Sequence, residues 1–61
     1  MTKKELAIVK DVLVGTWAVA MSNYEIAVAD NDEYLSAEYR KDKEDAEKAL
    51  AIVERELGDE V

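Results

Sequence analysis

Asp30-Asn31-Asp32 decides the fold, because it is the only polar turn cluster in a chain otherwise built from helix formers. Asn31 tolerates the left-handed conformation that ends a helix, and the Asp32 side chain can cap the next one. Outward from this cluster there is no Pro, and the only glycines are Gly15 and Gly58. Ala, Leu, Glu and Lys dominate, all favourable in helices, and strand-like alternation never lasts more than a few residues. The sequence therefore reads as all-α: an antiparallel two-helix hairpin, with helices over about 3–29 and 33–57, forming a single domain over 1–61. Thr2-Lys3-Lys4-Glu5 has the form of a capping box at the start of the first helix. Gly58 is expected as the left-handed residue just past the end of the second.

The apolar periodicity gives the hairpin a register. At 3.6 residues per turn, Leu6, Val9, Leu13, Trp17, Ala20, Tyr24 and Val28 share one face of the first helix. Leu35, Tyr39, Ala46, Leu50, Val53 and Leu57 form a narrow stripe on the second. Folding at Asn31–Asp32 pairs Leu6 with Leu57, Leu13 with Leu50, Trp17 with Ala46, Tyr24 with Tyr39, and Val28 with Leu35. The largest side chain then faces one of the smallest, as filling a fixed volume requires.

The first helix carries a second apolar stripe that such a hairpin leaves unused. Ile8, Val12, Gly15, Val19, Ser22, Ile26 and Ala29 recur at spacings of four and three, a heptad-like seam on the far side. A helix apolar on two sides is a buried helix, so this seam is expected to be an oligomer interface. The small residues Gly15, Ser22 and Ala29 would permit a close crossing, with two hairpins forming a C2 four-helix bundle. The competing reading of Gly15 is a break that divides the first helix.

The totals support association. A chain of 61 residues is marginal as a lone domain unless disulfides, a metal or oligomerisation help it. With Cys 0 and His 0, disulfides and Cys/His zinc sites are excluded. Lys3, Lys4, Glu5, Lys10 and Asp11 interrupt any signal-peptide core. The uncharged run Val12 to Tyr24 is too short to cross a bilayer. A soluble, cytoplasmic protein is expected, with no membrane partner. The net charge of −7 disfavours binding to nucleic-acid phosphates. Residues 1–30 hold three Lys against four acidic side chains, and residues 31–61 hold five Lys or Arg against eleven. The second helix is therefore the solvated element, with Glu44/Lys48, Arg40/Glu44, Lys41/Asp45 and Lys43/Glu47 spaced for i,i+4 pairs. Asp42 falls at the edge of its apolar stripe, where it either leans out to water or accepts a bond from Thr16, Ser22 or Asn23.

Chemistry-bearing patterns are scarce. Without His or Cys the commonest bases, nucleophiles and ligands are missing, and no catalytic, cofactor-binding or metal-ligating residue is expected. An EF-hand loop from Asp30 would need Gly at Leu35 and Glu at Lys41, and neither is present. Arg40, Lys41 and Lys43 form a small basic island beside Tyr39. Tyr34 and Ile52 lie off the apolar stripe on one flank. These five (Tyr34, Arg40, Lys41, Lys43 and Ile52) are candidate partner or ligand contacts. Trp17, Tyr24 and Tyr39 read as hairpin core together with Leu6, Leu13, Leu50, Val53 and Leu57. The function expected is a small, acidic, non-enzymatic interaction module. It would form a homo-oligomeric bundle that inhibits or bridges another protein, as inhibitors from phages and mobile elements do. The alternatives are an oligomer that holds a small ligand or nucleotide between protomers, and an acidic decoy of nucleic acid.

Overall fold

The computed structural model describes residues 1–58, folded as two antiparallel helices, α1 (Lys3–Ala29) and α2 (Glu33–Gly58). At the start of α1, Thr2 Oγ1 accepts from the Glu5 amide at 3.1 Å while the Glu5 carboxylate accepts from the Thr2 amide at 2.8 Å. Two of the amides that a helix start leaves free are thereby satisfied. These bonds hold the exposed Glu5 carboxyl below its usual pKa, the Thr2 backbone amide first and the hydroxyl second.

The reversal rests on Asn31 and Asp32. Asn31 adopts φ 57°, the left-handed conformation. The amides of Asn31 and Asp32 then reach back to the carbonyls of Val28 at 3.0 Å and Ala27 at 2.9 Å, closing α1. This is the Schellman pattern, in which a left-handed residue turns two amides onto orphan carbonyls. Asp32 also opens α2: its Oδ1 accepts from the Leu35 amide at 2.9 Å, and its carbonyl accepts from the amide and hydroxyl of Ser36. One residue thus closes the first helix and caps the second.

Gly15 does not break α1, which runs unbroken over 27 residues. At the far end Gly58 is the last helical residue, not a left-handed residue beyond the helix, and no described glycine has positive φ.

The contact between the helices is thin. Among the described residues the buried side chains are Leu6, Ala20 and Ala27 on α1 with Ala46 and Val53 on α2. Three of these five are alanine, so little of the packing comes from large side chains. Leu13, Trp17, Tyr24, Tyr39, Leu50 and Leu57 are part-buried around them. At the turn the two side chains expected to pair stay half in solvent: Val28 is 48% exposed and Leu35 40%, while Ala27 is buried. The cause is the period. Residues 6, 13, 20 and 27 repeat every seven, the 3.5-residue period of helices that stay in contact along their length. A 3.6 stripe drifts about 20° per heptad and after three heptads has moved on to Val28.

The resulting particle is a rod of 44 × 14 × 14 Å with a radius of gyration of 13.9 Å. A globular chain of this length would have a radius of about 10.5 Å.

Candidate interaction surface

The seam expected on the far side of α1 lies in solvent. Ile8 is 57% exposed, Val12 64%, Val19 62% and Ile26 58%, and Gly15 and Ser22 between them are exposed as well. A Cβ built on Gly15 would meet no atom within 4 Å, so the hairpin itself gives this glycine no packing task. Seven-residue spacing keeps Ile8, Gly15 and Ser22 in one row, with Val12, Val19 and Ile26 alongside.

On one flank the seam continues into a groove between the helices. Val12, Leu13, Gly15, Thr16, Val19, Ala20 and Asn23 line its α1 wall, and Tyr39, Asp42, Asp45 and Ala46 its α2 wall. The lining is mainly apolar, and Asp42 and Asp45 are its only charged members among the described residues. Neither carboxylate has an ion pair or hydrogen bond among the described residues. Asp42 is exposed, and the Thr16 hydroxyl, one of three donors within its reach, bonds to the Val12 carbonyl of its own helix at 3.0 Å. A hydroxyl in a helix finds the carbonyl four residues back more readily than a side chain across a groove. Sequence reasoning reached Asp42 but missed Asp45 and the groove. The signal was available: the two acids are three residues apart on α2 and flank the Thr16/Asn23 side of α1.

On the opposite flank Trp17, Glu47 and Lys43 pair with one another. The Trp17 indole N–H donates to Glu47 Oε2 at 2.9 Å, and Lys43 Nζ donates to the same oxygen at 3.3 Å. These two bonds hold the exposed Glu47 carboxyl below its usual pKa, the indole contributing most. Trp17 therefore lies part-buried against α2, its indole N–H held by Glu47, the residue next to the expected partner Ala46. A part-buried indole N–H usually finds an acceptor, and here Glu47 supplies it.

The five candidate contact residues do not form one site. Lys43 is engaged by Glu47, and Arg40 pairs with Glu44 at 3.8 Å, so the basic island is largely compensated. Lys41 is exposed. Tyr34 at 74% and Ile52 at 52% exposure share a flank. Eighteen positions apart on one helix, they are about 27 Å from each other, too far to make a common patch. Among the described residues no group of three or more acidic side chains is placed to hold a metal ion.

α1 has a further property that counting the uncharged run did not reveal. The helix over Lys3–Ala29 is long and apolar enough to cross a membrane, and only 11% of its most apolar window is buried in the hairpin. The chain matches no protein-family model, no curated protein and no solved structure.

Proposed function

We propose that this protein is a soluble, cytoplasmic, non-enzymatic interaction module that self-associates through the outer face of α1 and occupies or bridges another protein. The observation that carries this reading is the exposed row Ile8, Val12, Val19 and Ile26 on a helix already packed on its other side. Contiguous apolar surface of that extent on a small soluble chain marks a contact site.

Area supports a second copy as one occupant. The hairpin has an accessible surface of 4592 Å², whereas a compact chain of this mass would expose about 4,000 Å². The excess, about 600 Å², approaches the roughly 800 Å² that each partner buries in an ordinary stable interface. Two hairpins joined along α1 form a four-helix bundle, with the acidic α2 helices outside.

Native mass spectrometry tests the proposal. We expect a species at twice the 6.8 kDa chain mass, reduced to one chain by Val19→Asp. A wild-type mass of one chain would overturn self-association.

A second reading, α1 held in lipid, is favoured by the length, apolarity and low burial of that helix. Lys10, Asp11 and Glu25 on α1, and the many charges of α2, oppose it. Flotation with neutral lipid vesicles separates the two: protein that remains at the bottom of the gradient supports the soluble module, and protein that floats supports the membrane reading.

A further inference from the structure

From the groove we infer the class of partner: a basic amphipathic helix of another protein, lying along α1 between Val12 and Asn23. This rests on the reading of α1's outer face as a contact surface and goes further by naming the chemistry that fits it. The α1 wall supplies apolar surface at Val12 and Val19, and the α2 wall supplies Asp42 and Asp45 with the part-buried Tyr39. No cation lines the groove, and among the described residues no cation pairs with either aspartate. Two uncompensated carboxylates beside an apolar wall complement a helix with aliphatic side chains on one face and Lys or Arg along the adjoining edge. The groove runs about 17 Å along α1, some three helical turns. A second copy of this chain suits the groove less well, because it brings a net charge of −7 and its own pair of aspartates.

Val12, Gly15 and Val19 belong both to the groove and to the seam through which two hairpins would pair. The basic helix and the second hairpin therefore compete for one surface. Partner binding converts the dimer into a one-to-one complex.

The probe is a labelled synthetic helix of about 18 residues, long enough to fold, with Leu at three- and four-residue spacing and Lys elsewhere. A twin carries Glu in place of Lys. Both are titrated by fluorescence anisotropy against the wild type, Asp42→Lys/Asp45→Lys and Glu33→Lys/Glu54→Lys. The last variant makes the same change in net charge at exposed sites outside the groove. Circular dichroism checks that each variant keeps its helices. We expect the wild type and Glu33→Lys/Glu54→Lys to prefer the Lys helix by about tenfold, and the groove variant to prefer the Glu twin. Equal weakening in both variants would show attraction by net charge alone and overturn the proposal, as would failure of the Lys helix to bind. The mass measured without peptide keeps the two readings separate. A monomer that binds the Lys helix retains the groove and loses the dimer, whereas a dimer that ignores the peptide does the reverse.

Discussion

Asn31 carries the chain reversal at φ 57°, where a β-branched side chain collides with its own backbone. Asn31→Val is expected to cost about 1–2 kcal/mol and Asn31→Gly to be close to neutral, as read by urea unfolding. An equal loss from both would mean that the Asn side chain, not the backbone angle, holds the turn. Trp17 is a second residue with a distinct role. It is part-buried and held by Glu47, so Trp17→Ala should cost about 2 kcal/mol, below the 3–5 of a fully buried aromatic. Glu47 also gives the fold a pH dependence of known sign. Its folded pKa is lowered by the indole and by Lys43. Its contribution is therefore complete above the ordinary carboxylate pKa of about 4.3 and fades as pH falls through the lower folded value. Glu47→Gln should flatten the change in tryptophan fluorescence that appears as pH falls below the ordinary carboxylate pKa of about 4.3. An unaltered titration would place its origin at another carboxylate.

At the scale of the element, α1 and α2 depend on opposite resources. α2 has one narrow apolar stripe, surface ion pairs worth a few tenths of a kcal/mol each, and a well-made start at Asp32. Asp32→Ala should cost about 1 kcal/mol through the lost cap and fray α2 first, visible as loss of amide protection in its opening turn. α1 has apolar surface to spare and one weak point, Gly15 in its interior. A methyl group there meets open space within the hairpin, so Gly15→Ala should stabilise the separated chain by about 1 kcal/mol. If two α1 helices cross near Gly15, the same methyl stands between them and weakens the dimer. Greater stability with unchanged dimer affinity would move the crossing elsewhere along α1.

For the whole molecule, the deciding quantity is how little the hairpin buries. Five buried side chains among the described residues, three of them alanine, and a rod of 44 × 14 × 14 Å make a thin core. Folding is then expected to be coupled to association. Tm should rise with protein concentration, as mass action requires when the partner binds only the folded chain. A Tm constant over about a hundredfold range in concentration would uncouple the two. Val19→Asp, on the exposed seam, should abolish the dependence and leave a less helical monomer. A variant with wild-type mass and melting would refute the bundle.

Local chemistry determined most of this hairpin from the sequence alone. The capping box at Thr2–Glu5, the left-handed Asn31, the cap at Asp32, the absence of Pro and the apolar period specify two helices and the point of reversal, because each acts within a turn or two of chain. The surplus stripe on α1 was legible for the same reason: seven-residue spacing is a property of one helix. Tertiary structure decided what depends on both helices together. Continuous contact imposed the 3.5-residue period that buries Ala27 in place of Val28. It drew the Trp17 indole to the side at Glu47, where its N–H finds an acceptor. It also set Asp42 and Asp45 opposite Val12 and Val19 to form a groove. No single helix encodes that groove, since its two walls meet only after the chain has folded back on itself.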